Sequence, residues 1–530
     1  VTPIGRGLRW AGLAAHLVIG ALVGDVISLF VLIPFGLFGH VSNQQMHLGG
    51  AIGAAIGALI GWRKWTQRSA PLPSSDVHGS AHVASANQVR HSLGGGSGLI
   101  VGRENRPNGK LLRYDGPAHL ITIAPTRSGK GVGAIIPNLL TADRSIFCID
   151  PKGENARITA NARERFGPVY VLDPFQASGQ PSAAFNPLSR LDPESLDLAE
   201  DANLLADALV YDPPGQAGEA HWNEEAKALI GGLILHAVCN AEPHNKTLAQ
   251  VRDWLTGSPQ EFHALLAAMQ QSRGASGLIR RAANRHLGKS EREAAGVLSS
   301  AQRHTHFLDS ARINQTMARS DFRFGDLKDT NATVFLVLPP ERLDGFARWL
   351  RLMVAQAIQD LARSPARPKA PVLFLLDEFA ALGRLEPVER AFGLMAGYGL
   401  QLWPILQDIH QLRSAYGERS GTFLSNAGLI QIFNVADVDT ASWVSRSMGD
   451  TTMTYQTTGT SSSRSAMQPF ETKSASTTTH LSRRALFTPD EIMRLDSSLE
   501  ILLRPGSAPV IASKVRYYDG AEFRGLFSVY

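Results

Sequence analysis

Residues Leu120 to Leu140 read LITIAPTRSGKGVGAIIPNLL, and few stretches limit the possible folds more. Leu120, Ile121, Ile123 and Ala124 run straight into a loop of small residues around Lys130, and a second apolar run follows. This predicts strand, phosphate loop, helix. Small residues let backbone N–H groups curl around polyphosphate oxygens, while the lysine and the positive end of the following helix offset their charge. The expected loop is Pro125, Thr126, Arg127, Ser128, Gly129, Lys130, Gly131 and Val132. Compared with G-x-x-x-x-G-K-[ST], Ala124 replaces the first glycine, and Gly131 stands where a Mg²⁺-ligating hydroxyl is usual.

The second half of such a site lies far along the chain. Pro371 to Phe379, PVLFLLDEF, has the pattern of a buried strand ending in two adjacent carboxylates. In a P-loop NTPase the first, Asp377, would hold the Mg²⁺ shell through water, and the second, Glu378, would polarise the attacking water. Leu400 to Leu406 is another strand pattern, and Gln407 ends it where a polar side chain could sense a γ-phosphate or make an ordinary strand-end hydrogen bond.

Short apolar strands at Ser145 to Asp150, Val169 to Asp173 and Thr333 to Leu338, each followed by helical spacing, predict an α/β fold with a parallel sheet covered by helices. Ligands in such sheets sit outside the carboxyl ends of strands, where Lys130, Asp150, Asp377 and Gln407 all fall. Between residues 195 and 323 the apolar period is helical throughout, and Ser258, Pro259 and Glu261 form a capping box. This predicts an all-α domain inserted between two parts of the α/β body, 99–194 and 324–530. Pro137 should kink or shorten the helix after the phosphate loop. Asp450 to His480, rich in Ser and Thr, reads as a surface loop, and Leu499 to Leu503 with Pro509 to Tyr518 reads as a closing hairpin.

The first 68 residues have a different character. Trp10 to Phe38 is long and apolar enough to cross about 30 Å of hydrocarbon, and Leu48 to Trp62 supplies a second, Gly-rich run. Arg6 and Arg9 precede the pair, and Arg63, Lys64 and Arg68 follow it, with no Lys or Arg from His40 to His47 between them. The positive-inside rule therefore predicts a transmembrane hairpin over 1–68 with both ends cytoplasmic. A second span and a second basic cluster argue against a cleaved signal peptide. Residues 69–98, rich in Pro, Ser and Gly, read as a linker. The formal charge of +5 gives no nucleic-acid argument by itself, and Cys148 and Cys239, the only cysteines, argue against a disulfide framework.

APTRSGKGVG at Ala124 to Gly133, DPKGE at Asp150 to Glu154, FNPL at Phe185 to Leu188, LLDEFAALG at Leu375 to Gly383, and PDEI before Tyr517-Tyr518 together resemble the TraG-type coupling proteins of type IV secretion systems. The resemblance runs over nearly the whole chain, and glycine after the phosphate-loop lysine is typical of that family. It leaves open whether Thr126, Ser128 or another hydroxyl approaches the metal. It implies a multi-pass protein of the bacterial inner membrane, with most of the chain cytoplasmic and a RecA-like P-loop NTPase domain using ATP and Mg²⁺. It also implies a homo-hexamer that recruits relaxase-bound single-stranded DNA and passes it to the secretion channel and its inner-membrane proteins. By position, Gln407 resembles the family's γ-phosphate sensor, and Arg419 resembles the basic residue supplied in trans to a neighbour's nucleotide. The alternative is a nucleotide-gated receptor that passes protein effectors without acting as a DNA motor.

Overall fold

The computed structural model describes residues 76–211, 220–463 and 472–528, with isolated positions at 51, 55 and 59. Its strands are β1 (Leu99–Glu104), β2 (Leu111–Tyr114), β3 (His119–Ile123), β4 (Ile146–Asp150), β5 (Val169–Leu172), β6 (Thr333–Val337), β7 (Val372–Leu376), β8 (Leu400–Leu406), β9 (Ala427–Phe433), β10 (Asp450–Ser463), β11 (Thr472–Ala485), β12 (Leu499–Leu503) and β13 (Val510–Ser513). By contacts the chain divides into one unit of Ala81–Asp450 with Ala485–Tyr530, and a second that includes Thr451–Arg484.

The larger unit is built on an 11-stranded sheet in the order β2-β1-β13-β12-β9-β3-β8-β7-β4-β6-β5. From β9 to β5 all neighbours pair parallel, whereas β12, β13, β1 and β2 add an antiparallel extension beyond β9. The parallel strands are apolar almost without interruption because both of their faces are covered. Successive residues go to opposite faces, so Ile121, Phe147 and Phe374 join one core while Leu120, Cys148 and Leu373 join the other. The closing hairpin expected near the C-terminus is the antiparallel β12–β13 pair.

Between β5 and β6 the described residues form helices and no strand, among them Leu198–Leu209, Ala220–Asn240, Leu248–Thr256, Pro259–Gln271, Leu278–Leu287 and Glu291–Thr305. The capping box at Ser258 and Glu261 is formed. These helices share a continuous core with one sheet face: Leu205, Leu233 and Val251 cluster with Ile123, Leu376 and Met353.

Two stretches differ from expectation. The linker reading of 69–98 does not hold for its second half, where Ala86–Leu93 is a helix opened by a Ser85–Gln88 capping box. Its Val89 and Leu93 are buried against Leu99 and Leu112, so two well-spaced apolar residues outweigh a Gly- and Ser-rich background. The Ser/Thr-rich excursion, in turn, is a two-stranded antiparallel ribbon, β10 with β11. Threonine is a good strand former, and polar side chains suit a ribbon whose described side chains are mostly exposed. Among the described residues no helix is long and apolar enough to cross a membrane. The hairpin expected over 1–68 lies, three isolated positions aside, outside them.

Candidate nucleotide site

The strand order explains the site. β3, β8 and β7 are consecutive parallel neighbours, so the residues after their carboxyl ends converge although they are far apart in sequence. After β3 the chain turns tightly, with the Ser128 N–H donating to the Pro125 carbonyl at 3.2 Å. Arg127 has φ +62° and Gly129 φ +93°. The Gly129 value is one a side chain would strain, and a non-glycine residue at Arg127 in this region marks a loop held by its surroundings.

Gly131–Ile135 then forms a π turn, in which the Ile136 N–H reaches back to the Gly131 carbonyl. Pro137 follows in the short α-helix Ile136–Thr141, so the helix shortens as expected, with its register widened just ahead of the proline. Asn138 fixes this helix to β1. Its Nδ2 donates to the Ile100 carbonyl at 2.8 Å, and its Oδ1 accepts from the Ile100 N–H at 2.8 Å.

Lys130 Nζ lies 2.8 Å from Asp377 Oδ1 and 2.6 Å from Glu378 Oε1. Gln407 completes the cluster, its Nε2 donating to Glu378 Oε2 at 3.3 Å. Glu378 sits at φ +51°, a second non-glycine residue in the left-handed region. Burial opposes the Lys130 charge, but the two carboxylates outweigh it and hold the ammonium above its usual range. Burial also raises Asp377, and the facing lysine only partly offsets it. Asp150, at the end of β4, is pushed up to about 6 by burial. Its Oδ2 accepts from the Ala156 N–H at 2.8 Å, which makes it a cap for the helix Glu154–Arg163.

The remaining expected residues are placed less centrally. Thr126 and Arg127 are exposed and Pro125 is half-buried. The Ser128 hydroxyl is buried with no hydrogen-bond partner among the described residues. Arg419 is exposed and pairs with Glu389, away from the Lys130 cluster's hydrogen bonds and ion pairs.

One group at the loop had no motif to announce it. Lys514, just past β13, donates from Nζ to the Ser128 carbonyl at 2.9 Å and to Asn434 Oδ1 at 2.7 Å. Its ammonium also lies 4.6 Å from the centre of the Phe433 ring. A single lysine after an apolar strand carries no spacing signal, and only the pairing of β12 with both β13 and β9 brings it here.

The described residues contain no group of three or more His, Cys, Asp or Glu able to hold a metal alone. A Mg²⁺ carried on nucleotide phosphates asks for only one or two protein carboxylates, so Asp377 fits that need.

Fold and site together define a RecA-type nucleotide-binding α/β fold with a mixed sheet. Residues 82–527 match the family described as Type IV secretory system Conjugative DNA transfer, and the chain belongs to that family. It is 30% identical to a conjugal transfer protein TraG of Escherichia coli over 519 residues, covering 92% of this chain and 79% of the relative. It is also 30% identical to protein VirD4 of Rhizobium rhizogenes over 479 residues, covering 86% and 68%. Among solved structures, the bacterial conjugative coupling protein TrwBdeltaN70 matches with a TM-score of 0.62 at 15% identity, over 82% of this chain and 92% of that one. The plasmid coupling protein TrwB in complex with ADP and Mg²⁺ matches with a TM-score of 0.60 at 16% identity, over 82% and 93%. The chain is thus a conjugative DNA-transfer coupling protein of type IV secretion.

Proposed function

We propose that this chain is a P-loop ATPase that spends ATP hydrolysis on moving relaxase-bound single-stranded DNA into the secretion channel. The observation that carries the reading is the convergence of Lys130, Asp377, Glu378 and Gln407 beyond three adjacent parallel strands. TrwB, a coupling protein of the same fold, has been solved with ADP and Mg²⁺ and with an ATP analogue.

In this reading the backbone of Pro125 to Val132 binds the polyphosphate and Lys130 binds its terminal oxygens. Asp377 would hold Mg²⁺ through water, and the metal would supply charge neutralisation at the phosphates. Lys130 is already held by Glu378 at 2.6 Å, so phosphate and carboxylate compete for one ammonium. As Lys130 turns to phosphate, Glu378 is freed to polarise water, and Gln407, bonded to the same carboxylate, reports the exchange.

Arg419, exposed and paired with the largely buried Glu389, is suited to reach a neighbour's nucleotide in a homo-hexamer, where such a finger contributes about 10³ to 10⁵ in rate. The remaining parts are the membrane hairpin over 1–68, anchoring the protein in the inner membrane, and the all-α segment 195–323 between the two parts of the nucleotide-binding body.

The test is ATP hydrolysis by the full-length protein in detergent, with and without single-stranded DNA. Salt-sensitive stimulation by DNA of any sequence supports the motor. ATP binding without turnover in an oligomeric preparation would replace it with a nucleotide-gated receptor.

A further inference from the structure

The phosphate loop is gripped from behind by the antiparallel extension of the sheet. Gly133, in the π turn after Lys130, packs so closely on the segment after β13 that a Cβ there would lie 2.9 Å from the Val515 carbonyl oxygen. The neighbouring Lys514 is fixed at both ends. Its backbone N–H donates to the Ser498 carbonyl at 2.8 Å, and its side chain ends on Ser128 and Asn434. Asn434 itself has φ +38°, a conformation that turns the chain out of β9.

The Ser128 carbonyl belongs to the peptide that continues as the Gly129 N–H. A trans peptide is planar, with its C=O and N–H pointing to opposite sides. Holding the carbonyl toward Lys514 therefore holds the Gly129 N–H away from Lys514. Gly129, free of a Cβ and at φ +93°, has no side chain to resist a flip of this peptide. Its Cβ position is also open, with no atom within 4 Å, so packing does not lock it either.

We propose that Lys514 is a positioning residue for nucleotide binding, orienting the Ser128–Gly129 peptide so that the Gly129 N–H is presented to a nucleotide phosphate. This rests on the phosphate-loop reading above. Lys514 reaches the loop through its carbonyl side, so it acts on phosphate binding and leaves the reacting atoms to Glu378 and Gln407. Burial, the first influence on Lys514, draws its ammonium down to about 8 although Glu500 and Asp496 favour the charge and Arg516 opposes it. A lysine is thus kept partly desolvated to serve one carbonyl, one amide and one ring face.

The experiment measures the Kd of the full-length protein for Mg²⁺-ATP and for ADP by isothermal titration, with KM and kcat, for Lys514→Met and Lys514→Arg. Lys514→Met should raise both Kd values and KM about tenfold, leave kcat within about twofold, and keep the melting temperature near that of the wild type. Lys514→Arg, which can still donate to the carbonyl, should recover most of the affinity. Asn434→Gly, which keeps the backbone turn and removes one anchor of the amine, should shift Kd the same way by a smaller factor, and stands in if Lys514→Met does not fold. A folded Lys514→Met protein with wild-type Kd and KM would overturn the proposal, as would equal losses in Lys514→Met and Lys514→Arg. Failure of the wild type to bind ATP would instead remove the nucleotide-site reading on which the proposal rests.

Discussion

Two lysines meet the same loop in opposite circumstances. Lys130 faces two carboxylates and is held above its ordinary range, whereas Lys514 faces a carbonyl, an amide and an aromatic ring and is drawn down to about 8. An ammonium between carboxylates can be handed to another anion at little cost, because a polyphosphate restores what the carboxylates gave. An ammonium bound to neutral dipoles in a half-buried position has no such exchange and serves as a fixed point. On the proposed reading, the comparison separates a part that changes partners from one that holds the loop still.

The largest effect is expected from removing the exchanging lysine. Lys130→Ala should lower hydrolysis by about 10³-fold or more, read as turnover of full-length protein, since no other cation in the described site faces Asp377 and Glu378. Turnover near the wild-type rate would place the chemistry elsewhere. Glu378→Gln should cost about 10²-fold in kcat while ATP affinity stays level or improves, because Lys130 loses a competing carboxylate at 2.6 Å. A weaker Kd in that variant would contradict the exchange between carboxylate and phosphate.

On the side of the fixed lysine, Gly133→Ala should destabilise the protein by about 1–3 kcal/mol, seen as a lower melting temperature, because its Cβ meets backbone at Val515 rather than a yielding side chain. The last effect, read as a dependence on pH and not as a loss at one pH, belongs to Glu500, buried on β12. Burial pushes Glu500 from 4.5 up to about 8, so between those values the folded protein keeps a proton that the unfolded chain releases. Stability from this group is full below about 4.5 and declines as pH rises towards 8. Glu500→Gln, which keeps the shape and the contact with Gln431 in view, should flatten the dependence of melting temperature on pH across that window. An unchanged slope would show that another group sets it.

What could be read from sequence followed the reach of local patterns. The turn after β3, the Asp377-Glu378 pair and the strand ending at Gln407 were legible as placements because each joins an apolar strand to a polar residue beyond its end. Their convergence followed once the strands were parallel neighbours. Lys514 was not legible, since its place depends on two antiparallel pairings beyond β9, which no local pattern encodes. The same holds for the buried chain of Trp403, Thr122, Gln431 and Glu500, whose links of 2.8 Å cross four strands. The helix Ala86–Leu93 was hidden by composition, because Gly and Ser around it outnumber the two residues that bury it. The Thr-rich ribbon was misread for a related reason: polarity suggested a loop, while threonine's branched side chain favours a strand.

The most direct measurement is a structure of the full-length protein with Mg²⁺ and a non-hydrolysable ATP analogue. The account predicts phosphates enclosed by residues 125–132, Lys130 Nζ about 3 Å from their terminal oxygens and withdrawn from Glu378, with Lys514 still on the Ser128 carbonyl. Nucleotide bound elsewhere, or Lys130 keeping both carboxylates with the analogue in place, would contradict it.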